Sequence, residues 1–434
     1  MAGPIPRALL PDTSTTVDGR LYIAGCDTVD LARRFGTPLF VYDEEHIRAR
    51  CRETVAAFGG SAAYATKAFL CTAMARLAHE EGLRLDVATG GELAVARAAG
   101  VPADRLVVHG NNKSTAELET AMRIGVGRVV VDNFDEMDRI ERLHEDGLPA
   151  PDVLIRVTPG VEAHTHEFVR TGGDDTKFGF TASTGDAARA VERARSSDAM
   201  RLVGLHAHIG SQVFSLEAFA EASKVVALLA EPFGLPELSL GGGLGVAYVE
   251  GETAPSITDW ASTLRRALRG VDVRLSVEPG RSIVASSAVT LYSVGTIKDI
   301  PGVRTYVAVD GGMSDNPRPV LYGSGYETFL PRSVDAPRPR SVRVVGKHCE
   351  SGDMLVARGW VPDDLRVGDV LATPVTGAYG HSMGSNYNKV PRPAVVFCRD
   401  GNARVVVRRE TDDDLLRTDV GRDPAGGIMT YPPS

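Results

Sequence analysis

Lys67 stands in YATKAF, among Ala, Tyr and Phe. A lysine held among apolar neighbours is costly to keep charged, and desolvation moves it toward the neutral amine that forms a Schiff base with an aldehyde. Taken alone, it could equally be a lysine that reaches from a strand end into solvent. Further along, LSLGGGLGVAY crowds glycines, Gly243 among them, into one turn, where bare backbone N–H groups can cradle a phosphate. EPGR at 278–281 adds the carboxylate of Glu278, more backbone donors after the proline and the guanidinium of Arg281. LHAHIGSQ at 205–212 offers the flat imidazole of His208 with Ser211 close by. The same HxH, joined by AHTHE at 163–167, is also how a metal site can begin, but a further Asp ligand after the last strand is missing and EPGR stands there instead.

Lysine, phosphate cradle, stacking ring and buried carboxylate together match pyridoxal 5'-phosphate. Lys67 suits its aldehyde, the glycines its phosphate, His208 its ring face and Glu278 its pyridine nitrogen. A carboxylate on that nitrogen keeps it protonated and makes the ring a strong electron sink.

These residues need a scaffold that brings them to one place. Apolar runs ending in Gly or polar clusters recur eight times: AAYATK (62–67), RLDVATGG (84–91), RLVVHGNN (105–112), RVVVDN (128–133), DVLIRVTPG (152–160), LVGLHAHIGS (202–211), LSLGGGLG (238–245) and DVRLSVEPG (272–280). Between them, segments such as TAELETAMRIG and FDEMDRIERLHEDG repeat apolar residues at spacings of three and four. Eight strand-then-helix units with near-continuous apolar strands predict a (β/α)8 TIM-type barrel, whose functional groups gather at the C-terminal strand ends. HGNNK, at the end of the third run, then becomes one wall of a cleft.

After about residue 285 the texture turns to short β-rich runs, AVTLYSVGTIKDI, TYVAVDGG, SVRVVGK, DMLVARG, AVVFCRD and ARVVVRRE. The expected fold class is therefore α/β plus all-β, a barrel with a second β-sandwich or β-barrel domain. The expected division is an N-terminal segment joining the β-domain (1–37), a pyridoxal-phosphate-binding barrel (38–285) and a C-terminal β-domain (286–434), with LYIAGCDTVDLARRFGTPLFVYD crossing from one to the other.

Composition sets the class. The 434 residues are 43% hydrophobic and 24% charged, with 56 acidic against 48 basic side chains and a formal net charge of -8. No run of Lys and Arg suggests nucleic acid as a partner. The five cysteines are odd in number, widely spaced and without a CxxC pair, which argues against a disulfide framework or a zinc knuckle. The N-terminus lacks the apolar core of a signal peptide, and no stretch approaches eighteen apolar residues. A cytoplasmic protein with no metal and no membrane partner is expected.

The motifs themselves resemble those of the diaminopimelate decarboxylase family, of the pyridoxal-phosphate fold type that includes alanine racemase and the ornithine and arginine decarboxylases. The resemblance runs from about residue 20 to about 420, through YATKAF, DVATGGEL, HGNNKS, GVEAHTHEF with TKFGF, HIGSQVF, GGGLGVAY, EPGR, VDGGMSDNPRPVLYG, GKHCESGD and TGAYGHSMGSNYN. Ala207 departs from it, where the family often has Cys. The resemblance implies Lys67 as the Schiff-base lysine, His208 as the ring stack, Glu278 as the pyridine partner, and Ser211, Gly243, the Pro279–Gly280–Arg281 backbone and Tyr379 around the phosphate. It implies Arg281, Arg318, Tyr322, Glu350 and Tyr379 as substrate ligands, and Cys349 as the acid that protonates the carbanion, reaching over from the partner subunit of a homodimer.

The residues agree on substrate class. Arg318 and Glu350 form a mixed pair of charges suited to a distal group with both carboxylate and ammonium, which meso-2,6-diaminopimelate has and ornithine or lysine lacks. The expected reaction is its decarboxylation to L-lysine and CO2. The rivals are a relative acting on another amino acid, such as a racemase, and a non-catalytic homologue that binds partners. Glu278 argues against the racemase, and the presence of Lys67 and Cys349 against the non-catalytic reading.

Overall fold

The computed structural model describes residues 2–160 and 175–422. Eight parallel strands, β1 (Ala63–Ala65), β2 (Arg84–Val87), β3 (Leu106–Val108), β4 (Arg128–Val131), β5 (Asp152–Thr158), β6 (Arg201–His206), β7 (Glu237–Ser239) and β8 (Arg274–Ser276), pair in sequence order. The Ala63 and Ala65 N–H groups donate to Val277 O and Pro279 O at 2.9 and 3.1 Å, which closes the ring. All eight expected strands are present. Closure removes both sheet edges, so each strand can be apolar on both faces. Ala63, Val107, Val130 and Leu154 fill the interior of the ring, while the outer residues pack under the helices.

Seven helices follow the first seven strands, from Thr72–Glu80 to Ile257–Ala267. The eighth unit differs from expectation, because only the four-residue helix Arg281–Val284 follows β8 before the chain leaves for the second domain. The gap in the wall is filled from ahead of β1 by Glu44–Phe58, capped by Asp43, which packs on Ile257–Ala267 with Phe58 edge-on to the buried Trp260 at 5.3 Å.

The second sheet centres on the long strand Ala288–Ile300, antiparallel to Leu39–Asp43, Arg304–Val309 and Val370–Pro374. Leu39–Asp43 also lies parallel to Ala394–Arg399. Residues 39–43 thus pair in the second sheet, and the helix Glu44–Phe58 follows directly. All five residues of that strand are buried, so both of its faces are covered. The segment ahead of it makes a three-stranded sheet of its own, tied to the β-domain where Gly401 N–H donates to Ala24 O and Val334 N–H to Gly19 O. Among the described residues no helix is long and apolar enough to cross a membrane.

The two ends of the barrel carry charge differently. At the N-terminal end Glu237 is paired with Arg128 and Arg274 at 3.0 and 2.6 Å. Toward the C-terminal end, HGNNK splits into two tasks. His109 turns into the cleft, whereas the Lys113 ammonium is buried and donates to Gly110 O, Val130 O and the fully buried Glu136 carboxylate at 2.8, 2.7 and 2.7 Å. Lys113 therefore ties the end of β3 to β4 and to the helix that follows it. Ser114 closes the turn as the N-cap of Thr115–Ile124, in a capping box with Glu117.

Lys113→Met leaves the Glu136 carboxylate buried without its cation. The expected loss is about 3 to 5 kcal/mol of stability, measured by denaturant unfolding, with partial recovery in Lys113→Met/Glu136→Leu. A single mutant as stable as the parent contradicts this role.

Candidate active site

A cavity of about 1160 Å³ opens at the C-terminal end of the barrel, beneath the β-domain. Lys67 comes from the turn after β1, His208 and Ser211 from the segment after β6, Gly243 from the turn after β7, and Glu278, Gly280 and Arg281 from the end of β8. The β-domain contributes Arg318 and Tyr322 from one short helix, and Tyr379. Tyr379 is seated by its own N–H, which donates to Ala68 O at 2.8 Å, next to Lys67. Tyr42 stacked on Phe69 at 4.5 Å, and donating to Gly377 O, locks the same junction.

Lys67 is exposed to the cavity, and its apolar neighbours Tyr64 and Phe69 are buried behind it. The enclosure by apolar side chains expected from YATKAF is therefore not its environment.

Glu278 lies at the centre of a buried polar cluster and is 6% exposed. Its Oε2 is 3.0 Å from His206 Nε2, and its Oε1 accepts from Ser239 Oγ at 3.0 Å and lies 3.2 Å from His109 Nε2. Burial pushes this carboxyl up, but His109 and His206 outweigh burial and hold it well below the usual carboxylate range. Burial alone lowers the His109 imidazole, and the Asp86 and Glu278 carboxylates beside it raise it overall. His206 goes the other way, pushed down by burial to about 4, and Asp86 is pushed up by burial to about 6. The arrangement is one buried carboxylate between two imidazoles whose affinities for a proton are shifted in opposite directions.

His208 is held well below its ordinary value, first by burial and then by the cations Lys67 and Arg156. It is a neutral ring, suited to lying against another flat ring. Its Nδ1 accepts from Gly242 N–H at 3.2 Å, which sets its orientation. The glycine turn is needed for close approach: a Cβ at Gly242 would stand 2.2 Å from Glu278 O, and one at Gly243 2.2 Å from Gly210 O. Gly243 also has a φ of 108°, open to glycine. At Gly280 a Cβ would stand 2.9 Å from Ala65 O. The bare backbone is thus brought within reach of the cavity on two adjoining turns.

These features fit pyridoxal phosphate: an ionised carboxylate at the base for a ring nitrogen, a neutral imidazole for the ring face, a glycine cradle with Ser211 for the phosphate, and an accessible amine. The cofactor is pyridoxal 5'-phosphate. Pro279 lies outside the lining residues, its carbonyl serving to close the barrel. Cys349 and Glu350 also lie outside it, exposed on a β-domain turn, with Glu350 accepting from the Tyr387 hydroxyl. AHTHE (163–167) falls outside the described residues, and so does most of GVEAHTHEF. Among the described residues, His109, His206 and Glu278 are the potential metal-ligand cluster, their ligand atoms within 4.8 Å of one another. His206 thus joins Glu278 and a different histidine, not a metal pair with His208.

His109 stands in the cleft wall expected of HGNNK. The residues that motif reading passed over are Asp86, Arg156, His206, Ser239, Tyr248 and Tyr326, of which DVATGG and HAH carry two in polar strand ends. Arg156, Ser239 and Tyr326 have no such signal, because each sits in an ordinary run and is turned inward only by the fold.

A family model described as "Pyridoxal-dependent decarboxylase, pyridoxal binding domain" matches residues 44–285, beginning with the helix Glu44–Phe58. The diaminopimelate decarboxylase of Mycobacterium tuberculosis is 48% identical over 432 residues, covering 94% of this chain and 97% of that protein. That of Bacillus subtilis is 45% identical, covering 93% and 95%. Among solved structures, the diaminopimelate decarboxylase of M. jannaschii in complex with L-lysine superposes with a TM-score of 0.87 at 32% identity, covering 94% of this chain and 98% of that one.

Glu278→Gln retains the geometry and removes the charge. The variant is expected to bind cofactor at full stoichiometry by absorbance but to turn over one to two decades more slowly, since one charge-assisted hydrogen bond in a buried site is worth roughly 1.5 to 3 kcal/mol. Near-parental turnover in cofactor-replete protein contradicts the assignment.

Proposed function

The chain belongs to the diaminopimelate decarboxylase family of pyridoxal-dependent decarboxylases, and from that premise we propose how its own residues carry the reaction. The protein is a carboxy-lyase that converts meso-2,6-diaminopimelate to L-lysine and CO2. The observation that carries the substrate is Arg318. The residue is 4% exposed and lines the cavity, and its guanidinium has no carboxylate partner among the described residues. A buried cation left without an anion is a site for one, and a substrate with a second carboxylate supplies it.

Lys67 would hold the cofactor aldehyde, Ser211, Gly243, Gly280, Arg281 and Tyr379 its phosphate, and His208 its ring face. Bound there, pyridoxal phosphate supplies an electron sink for the pair released as the carboxylate departs. Glu278, kept ionised by His109 and His206, would hold the ring nitrogen protonated. That full sink favours loss of CO2 over the reversible proton exchange of a racemase. Arg318, with Arg281, Tyr322 and Tyr379, would seat the distal carboxylate and so aim the other carboxylate at the reacting end of the cavity.

One proton must replace the lost carboxylate. We assign that proton to the Cys349 thiol, and the grip on the distal ammonium to Glu350, both from the partner subunit of a homodimer. Two facts support this assembly. Both residues are exposed outside their own chain's cavity, and the helix that carries Arg318 and Tyr322 leaves Val320 and Leu321 at 42% and 50% exposure beside the cavity. A two-fold partner covering that helix would bring the same turn of its own chain to the mouth. All five cysteines are free thiols, which supports a working place in the cytoplasm.

Two outcomes are expected. Arg318→Ala loses about 2 to 5 kcal/mol of meso-diaminopimelate binding, read as KM in a CO2-release assay, with a far smaller effect on an amino acid lacking the distal carboxylate. Equal losses for both make Arg318 structural. Lys67→Ala and Cys349→Ala proteins, each nearly inactive, recover on dissociation and reassociation together, to roughly a quarter of all sites by random pairing. No recovery despite subunit exchange overturns the shared site.

A further inference from the structure

Arg318 and Arg281 are both buried cations joined through two tyrosines, Arg281 being held also by the Ser211 hydroxyl, to which its Nη2 donates at 2.8 Å, and lying 4.8 Å from the centre of the Tyr379 ring. Arg318 Nη1 donates to the Tyr326 hydroxyl at 2.5 Å, and its guanidinium carbon lies 4.3 Å from the centre of the Tyr248 ring. Arg281 Nη1 donates to the Tyr248 hydroxyl at 2.8 Å. The two rings meet edge-to-face at 5.3 Å, and both tyrosines are under 5% exposed. Tyr248 thus offers its π-face to one arginine and its oxygen to the other, and Tyr326 braces the first from the side.

We infer that Tyr248 and Tyr326 are positioning residues that determine specificity: a neutral cage that fixes the guanidiniums of Arg318 and Arg281 without neutralising them, so that the substrate's distal carboxylate is the first anion of Arg318. The inference rests on the reaction assigned above. A buried arginine is ordinarily compensated by a carboxylate, as Glu327 compensates Arg338 at 3.0 Å in the same domain. An Asp or Glu in the place of either tyrosine would satisfy the arginine internally and remove the reason for a carboxylate to bind. Phenol oxygens and π-faces do the holding at lower electrostatic cost to the incoming anion, since the aromatic quadrupole attracts a cation without cancelling its charge. The T-shaped contact also fixes the two cations relative to each other, so the cage selects the place of the carboxylate as well as its charge. Neither tyrosine is assigned a part in bond breaking.

The test uses Tyr326→Phe and Tyr248→Phe, which keep both rings and their packing, in holoenzyme of unchanged cofactor content. Each variant is expected to raise KM for meso-diaminopimelate about tenfold with kcat held within about twofold, the pattern of lost uniform binding. Titration with L-lysine bound as product, whose remaining carboxylate and α-ammonium are those of the substrate's distal group after CO2 is lost, is expected to show the same weakening by cofactor absorbance. An unchanged KM in both variants, or a fall in kcat at constant KM, overturns the cage. Failure of the parent protein to release CO2 from meso-diaminopimelate overturns the assigned reaction instead, and L-lysine titration of the variants then still decides the cage.

Discussion

The site depends on one buried charge. Glu278 stays ionised at 6% exposure only because His109 and His206 face its two oxygens. An isolated carboxylate at that depth would take up a proton. His109 comes from β3's end, His206 from β6 and Glu278 from β8's end, so the cluster exists only when distant strands close into one ring. Asp86, from β2's end, helps raise the His109 imidazole against the effect of burial. The charge at the base of the cavity and the closure of the barrel are one constraint seen at two scales.

The rest follows from where charge is left unpaired. At the N-terminal end the barrel's charges are consumed internally, as around Glu237, and serve stability. At the C-terminal end Lys113 is consumed in the same way by Glu136, while Arg281 and Arg318 are braced by neutral tyrosines and face the cavity. The glycine turns complete the division. They bring bare backbone to the cavity at Gly243 and Gly280, positions where a side chain would strike a neighbouring carbonyl. Stability and binding are thus assigned to different charged groups of similar type.

Much of this was legible in the sequence. The strands read as apolar runs with polar ends, and Lys67, His208, Glu278 and Arg281 stood at those ends, because a barrel sends every strand end to one face. The eighth helix was not legible in the same way: Glu44–Phe58 precedes its barrel neighbour β1, and no local pattern says which strand a helix will cover. That the segment ending in Leu39–Asp43 joins the later β-domain was read, but not which strand it would pair with, since its partner Ala288–Ile300 lies about 250 residues later. His206 was hidden by its own motif. In HAH only His208 was given a role, whereas the fold directs His206 to Glu278 and leaves His208 against the glycine turn. Tyr248 and Tyr326 carried no signal, since a tyrosine that braces an arginine is indistinguishable by spacing from one that fills a core.

The claim on which the account turns is that Glu278 keeps the cofactor's ring nitrogen protonated. Its most direct measurement is the 15N NMR shift of holoenzyme reconstituted with pyridoxal phosphate labelled at that nitrogen, recorded across the pH range of activity. A protonated pyridinium throughout, lost in the Glu278→Gln protein, is the predicted result. A neutral pyridine nitrogen in the parent protein would contradict the account.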